Sequence, residues 1–351
     1  MTRVRARGED VRNFILQEIE KHPSDITRVV MSRFGITRQA VNKHLKRLVS
    51  EGAMIEEGIT RNRSYKLAPL QQWHKEYIIE PTLAVDVAWT RDVRPVLGQL
   101  PDNVLNIWQY AFTEMFNNAI DHSGGTRIGV VIRKTAVKTE IQIGDDGVGI
   151  FRKIQAALNL LDERHAVLEL AKGKLTTDPR KHSGEGIFFT SRAVDKFDIL
   201  SGGVFFTHDR GSEDDWALER DGSWSGTSVF LELHNHRART LKRVVESFSS
   251  GDDYGFTKTV VPVDLARYGN DQLISRSQAR RVLARVELFK TVVFDFKGVE
   301  SVGQAFADEI FRVFALDHSN IKSLAINANS QVKRMIERAR SGVPPEEPPA
   351  D

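Results

Sequence analysis

The most constraining stretch of this chain is PDNVLNIWQYAFTEMFNNAIDHSGG, residues 101–125. Its apolar residues Val104, Ile107, Trp108, Ala111, Phe112, Met115, Phe116 and Ala119 recur at spacings of three and four, which predicts a helix with one face in a core. Such a helix has no packing use for an acid and two amides in its last turns, yet Glu114, Asn117 and Asn118 stand there. Glu114 and Asn118 lie four residues apart, so they share one edge of the helix and can point at a common ligand.

The chain has 351 residues, room for two or three domains with separate cores. It contains no run of about eighteen apolar residues, and its start MTRVRARGED lacks the apolar middle of a signal peptide. A cytoplasmic protein without membrane contact is expected. The absence of cysteine agrees with that, and it excludes thiolate zinc sites, disulfides and cysteine nucleophiles. Charge is unevenly spread: residues 1–68 hold 14 Lys and Arg against 8 Asp and Glu, so their surplus of 6 exceeds the +3 of the whole chain.

That basic segment has the rhythm of a small helical domain. A helix over residues 10–21 is followed by a second that Ser24 can cap and that ends near Gly35; Thr37 can cap a third, which Gly52 stops. Ile36, Val41, Leu45, Leu48 and Val49 give the third helix its apolar stripe, leaving Arg38, Gln39, Asn42, Lys43 and Lys46 on the other side. Two short strand-like runs then meet around Gly58 and the basic turn Arg61, Asn62 and Arg63, which predicts a hairpin. With ITRQAVNKHLKRLVSEGAMI as its most telling part, residues 1–68 resemble the winged helix-turn-helix family. The resemblance implies binding to double-stranded DNA. Arg38, Gln39 and Asn42 would face base edges, and Lys43, Lys46, Arg61 and Arg63 would meet phosphates. The plainer alternative is a basic solvated face on a domain that binds protein. Winged helices often read two half-sites, so a homodimer is expected.

Residues 69–100 are expected to form a helical connector, and residues 101–240 an α+β domain. After the helix with Glu114 and Asn118 comes IQIGDDGVGI, in which a strand delivers Asp145 to its end and Gly147 and Gly149 follow without side chains. HSGEGIFFTSRAV places Gly184, Glu185 and Gly186 directly before a helix, whose first backbone N–H groups suit a phosphate. SGTSVFLEL opens a last strand with Gly226 and Thr227. Each element alone is weak evidence, but their order is the motif series of the GHKL ATPases, which residues 101–236 resemble. That resemblance implies an α/β-sandwich ATPase domain with ATP and Mg²⁺ as cofactors. Asn118 would offer an amide oxygen to Mg²⁺ and Glu114 would orient or deprotonate the attacking water. Asp145 would read adenine, Gly147 and Gly149 would let the nucleotide approach, Gly184, Glu185 and Gly186 would close over the phosphates, and Thr227 would contact the base. Asp121 and His122 would be accessory contacts. Residues 151–183 take the place of the ATP lid, where Lys172, Lys174, Thr176, Thr177 and Arg180 are solvated charges and hydroxyls or, for one lysine, a contact to the γ-phosphate.

No G-x-x-x-x-G-K-[ST] run exists, which argues against a P-loop enzyme. No helical phosphoacceptor histidine precedes the ATPase segment, which argues against a sensor kinase. The run His234, Asn235, His236 lacks the acidic and glycine context of a nuclease metal site.

Residues 255–340 alternate strand and helix, the pattern of a small α/β domain. TVVFDFKGVESVGQAFADEIFRVF resembles STAS domains, and more closely the STAS-like domains of unknown function that accompany such ATPases. That implies a protein partner. The serine that phosphorylatable members carry after the strand falls here on Gln304, with Ser301 three residues early and Asp295 at the strand end. The tail, residues 341–351, is rich in proline and acid, a composition that predicts disorder. The fold class expected is therefore α+β multidomain: winged helix, GHKL α/β sandwich and a small STAS-like α/β domain. The function expected is an ATP-binding transcriptional regulator switched by Mg·ATP binding and slow hydrolysis. The alternative is an anti-sigma-type protein serine kinase acting on a STAS-domain partner.

Overall fold

The computed structural model describes residues 2–59, 62–175, 184–210, 214–249, 255–267 and 272–342. In the first domain α1 (Thr2–Glu18), α2 (Ile26–Phe34) and α3 (Arg38–Ser50) pack around Val11, Ile15, Ile19, Val30, Val41 and Leu45. Thr37 starts α3, its hydroxyl accepting from the Ala40 N–H at 3.3 Å, and Gly35 ends α2 in the left-handed conformation. Asp25, and not Ser24, precedes α2; its carboxylate pairs with His22 at 3.0 Å and Arg28 at 2.6 Å. β1 (Met54–Glu57) and β2 (Ser64–Leu67) form the antiparallel hairpin, turning Met54, Tyr65 and Leu67 into the same core.

The helical connector expected over residues 69–100 begins with a strand. β3 (Gln71–Ile78) pairs antiparallel along its whole length with a later strand. Trp73, Lys75 and Tyr77 turn inward while the residues between them are exposed, a period of two that overrides the helical reading. Asp92 accepts from Lys75 at 2.6 Å and from Tyr77 at 3.1 Å, folding the next segment back over the strand. That segment is helical: α4 (Val85–Val87), a π-helical stretch over Ala88–Val93, and α5 (Arg94–Leu97).

α6 (Asp102–His122) buries Val104, Ile107, Trp108, Ala111, Phe112, Met115, Phe116 and Ala119, the residues picked out by their spacing. It lies on a five-stranded antiparallel sheet of order β3-β4-β5-β7-β6, with β4 (Arg127–Lys134), β5 (Lys138–Asp145), β6 (Lys196–Asp209) and β7 (Asp214–His234). β6 is one long strand, with a register irregularity around Gly202 in its pairing with β7. Between β5 and β6 run α7 (Ile150–Leu158), α8 (Glu163–Lys172) and α9 (Gly186–Ala193).

After α10 (Leu241–Glu246) comes a three-stranded parallel sheet of order β10-β9-β8: β8 (Lys258–Pro262), β9 (Thr291–Asp295) and β10 (Lys322–Ile326). α11 (Arg276–Leu283) precedes β9. α12 (Gln304–Asp308) follows it, running through a π-helical Glu309–Val313 into α13 (Phe314–Asp317), and α14 (Ser330–Ser341) closes the domain. The core of this domain also takes in Leu168 of α8 and Phe188 and Phe189 of α9. Among the described residues no helix is long and apolar enough to cross a membrane. Of the tail expected to be disordered, residues 343–351 lie outside the described residues.

Candidate functional site

The last turns of α6, the end of β5 and the start of α9 enclose a cavity of about 270 Å³. Glu114, Asn118 and His122 line it from α6, Asp145 and Gly149 from the loop after β5, Gly184 and Gly186 from the entry to α9, and Thr227 from β7. The carboxylate at 114, the amide at 118 and the aspartate at 145 therefore face one space. Ile143, Ile150, Ile154 and Val229 supply apolar wall.

Asp145 and Asp146 are neighbours with opposite surroundings. Asp145 Oδ1 accepts from the Gly147 N–H at 2.9 Å and the Thr227 N–H at 3.2 Å; among the described residues Oδ2 has no partner. Burial pushes the Asp145 carboxyl above its usual range, against those two donors. Asp146 is exposed and tied down: the Thr126 hydroxyl donates to Oδ2 at 2.7 Å, and the N–H groups of Thr126 and Arg127 donate to Oδ1 at 2.6 and 2.9 Å. The Thr126 hydroxyl leads those bonds in holding its carboxyl down to about 2. Asp146 staples the loop, and Asp145 lines the cavity.

Thr227 is placed by the same loop. Its hydroxyl oxygen accepts from the Ile150 N–H at 2.9 Å, at the first turn of α7, which leaves the hydroxyl proton to be donated elsewhere. Gly186 meets Glu114 closely: a Cβ at Gly186 would lie 1.9 Å from Glu114 Oε2. Only glycine lets the carboxylate reach the N-terminal end of α9, where backbone N–H groups lack intrahelical partners.

Some of the expected residues are not in the lining. Gly147 is pressed on the Ser123 carbonyl, which a Cβ would approach to 2.2 Å, so it buttresses the loop from behind. Glu185 sits by Tyr110; burial raises the Glu185 carboxyl, and burial followed by the charges of Glu114 and Glu185 raises the Tyr110 phenol. Asn117 and Asp121 also lie outside the lining. Sequence reasoning missed Lys153, which lines the cavity from α7 and donates to the His122 carbonyl at 2.7 Å. Its spacing of three from Ile150, itself in the wall, is the signal that could have found it.

The lysines of the expected lid are engaged elsewhere. Lys172 is fully buried against the C-terminal domain, and Lys174 donates to the Leu288 carbonyl at 2.9 Å. Lys172 is not a solvated charge, because its ammonium lies on the carbonyls of Arg281 and Ala284. Thr176, Thr177 and Arg180 lie outside the described residues.

In the first domain Arg38, Gln39, Lys43 and Lys46 are exposed on α3 and Asn42 is half-buried, across the helix from Val41, Leu45 and Leu48. Burial, then the charges of Arg12, Arg47 and Lys43, holds His44 below the usual imidazole range. Arg63 is exposed and pairs with Glu56 at 2.9 Å; Arg61 lies outside the described residues.

Other residues singled out from the sequence have structural partners. His234 bonds Asp195 at 2.9 Å and Asn235 accepts from Thr139 at 2.8 Å, so that run secures strand ends. Asp295 accepts from the Lys297 N–H at 3.0 Å and from Asn327 at 2.9 Å. Gln304 opens α12 behind Gly303. Among the described residues no group of three or more His, Asp and Glu is arranged to hold a metal ion.

Residues 278–333 match the family described as STAS-like domain of unknown function (DUF4325). The match runs from within α11 into α14, so the family describes the C-terminal domain alone. The chain matches no curated protein.

Proposed function

We propose that the cavity binds Mg·ATP, and that the protein is a transcriptional regulator whose hold on DNA or a partner is switched by nucleotide binding and reset by slow hydrolysis. One observation carries this reading. Glu114, Asn118, Asp145 and Thr227 line a single cavity, and they occur in the motif order of the GHKL ATPases. Asp145 Oδ2 accepts from the exocyclic amine of adenine while its other oxygen stays on two backbone donors. Thr227 donates its hydroxyl proton to the base, and Ile143, Ile150 and Val229 contact its faces. The N–H groups at the start of α9 receive phosphate oxygens, aided by the helix dipole.

The donor set suits magnesium, a hard ion that takes oxygen ligands: Asn118 has an amide oxygen at the cavity surface and Glu114 a carboxylate one turn away. When bound, the ion neutralises phosphate charge. Glu114, beside the start of α9, accepts a proton from the attacking water or holds it in line. The exposed Arg38, Gln39, Lys43 and Lys46 support a winged-helix role for the first domain, with α3 in the major groove. A nucleotide can switch that grip only by binding one arrangement of the domains better than the other.

Incubation with γ-labelled ATP is the test. The expected result is slow release of free phosphate, with Glu114→Ala retaining nucleotide affinity and losing turnover by about 100-fold or more. Loss of affinity with an intact rate at saturation would refute the role given to Glu114. Label that stays on protein would favour the alternative, an anti-sigma-type serine kinase. Its acceptor would be sought on a separate STAS partner, because Gln304 has no hydroxyl. Duplex DNA affinity should fall steeply with salt, and a flat dependence would mean that the basic face binds protein instead.

A further inference from the structure

The wall of the cavity nearest α9 is held from outside by the C-terminal domain. The C-terminal ends of α8 and α11 meet, and each is capped by a cation from the other's side. Lys172 Nζ donates to the carbonyls of Arg281 and Ala284, both at 2.8 Å. Arg285 Nη2 donates in return to the carbonyls of Gly173, at 3.4 Å, and Lys174. Glu169 lies between the two cations, accepting from Lys172 at 2.6 Å and from Arg285 Nη1 at 3.0 Å. Helix C-termini favour cations, and a buried carboxylate needs partners, so the three side chains satisfy one another.

Arg285 holds this position with φ of +61°, a left-handed conformation that residues with a side chain rarely adopt. The path from its guanidinium to the cavity is short and runs through backbone. Beyond Lys174 comes Leu175, which lines the cavity and whose N–H donates to the Gly184 carbonyl at 3.1 Å. Two residues on, Gly186 begins α9 against Glu114.

We propose that Arg285 is a positioning residue for the cavity, through which docking of the C-terminal domain and occupancy by a nucleoside triphosphate are linked. The proposal rests on the nucleotide reading above. Arg285 fixes the carbonyls of residues 173 and 174, and these fix the Leu175–Gly184 pairing beside the N–H groups that receive phosphate. By reciprocity, a bound triphosphate tightens the clasp as much as the clasp tightens the triphosphate.

The test uses the full chain and a fluorescent methylanthraniloyl-ATP with magnesium. In Arg285→Gly the guanidinium is lost while glycine suits the left-handed backbone, so the change adds no backbone strain. The expected result is an affinity about tenfold weaker than that of the wild type, with adenosine affinity unchanged because the Asp145 end does not touch this wall. Equal affinity of variant and wild type for the triphosphate would overturn the proposal, as would an equal loss for adenosine and triphosphate, which is general loosening. If the variant does not fold, hydrogen exchange on the wild type decides. Residues 281–289 should exchange more slowly with Mg·ATP, and unchanged exchange overturns the proposal. A wild type that binds no nucleotide removes the nucleotide reading itself and this inference with it.

Discussion

Val137 and Lys138 carry the contact of the middle domain with its N-terminal neighbour, whereas Leu168, Phe188 and Phe189 carry its contact with the C-terminal domain. Val137 packs on the rim of the first core, and the Lys138 ammonium meets Glu20 at 3.1 Å and Glu232 at 2.7 Å. The second junction is a shared core: the Phe188 ring lies 4.4 Å from that of Phe256 and 4.9 Å from that of Phe248. A mostly ionic contact is weakened by salt and can be remade at small cost, but separating a shared apolar core exposes aromatic surface to water. The middle and C-terminal domains are therefore built to move and unfold together, while the first domain is held to them by the weaker contact. Phe188 also lines the cavity, so a ligand and the C-terminal core touch the same side chain.

The largest effect should come from that ring. Phe188→Ala removes a fully buried side chain from a close-packed cluster and should destabilise the shared unit by about 3–5 kcal/mol. Peptide-resolved hydrogen exchange should show protection falling together in α6 and in β8 to β10, with the first domain unaffected. If β8 to β10 keep their protection while α6 loses it, the core is not shared in energetic terms and the contrast fails.

Much of the middle domain is legible in the sequence because its signals are local. The spacing along α6 names its buried residues one by one. Asp145 is marked by the glycines that follow it, and Thr37 by the helix it caps. Elements stabilised by distant partners leave no such trace. QQWHKEYI has mostly polar residues, and it becomes β3 because β4 and Asp92 receive it. Lys172 is misread for the same reason. A lysine in a glycine-rich loop region is ordinarily solvated, and nothing nearby in sequence announces that its partners lie 109 and 112 residues further on. Lys153 is a third case: it reaches the cavity because the end of β5 sets where α7 starts and so which side of that helix faces inward.

At the other junction the expected change is small. Lys138→Ala removes the ammonium shared by Glu20, Glu140 and Glu232 and should cost about 1 kcal/mol, because the carboxylates it leaves are partly exposed. Raised salt should mimic it, loosening the first domain in hydrogen exchange while α8 and α11 stay protected. If Lys138→Ala lowers protection in α8 as much as in α1, the first domain is coupled to the shared core after all.

The smallest effect is a pH dependence at the C-terminal junction. His165 Nε2 lies 2.8 Å from Arg281 Nη1, and it can accept that bond only as neutral imidazole. Burial, the largest cause, holds its pKa below the ordinary 6.5, with Asp162 opposing and Arg281 assisting. A folded pKa below the unfolded one means that the unfolded chain takes up the proton first. The stabilisation is then complete above pH 6.5 and is lost as pH falls from there through the folded value. Exchange in α11 should quicken over that window in the wild type. In His165→Gln it should not, since the amide oxygen accepts from Arg281 without titrating. His44 titrates in the same direction but inside the first domain, so its contribution appears in α1 to α3 and is separated by peptide. Loosening of α11 that persists unchanged in His165→Gln would assign the effect to other groups and leave the junction held by its aromatic core and the Lys172 clasp alone.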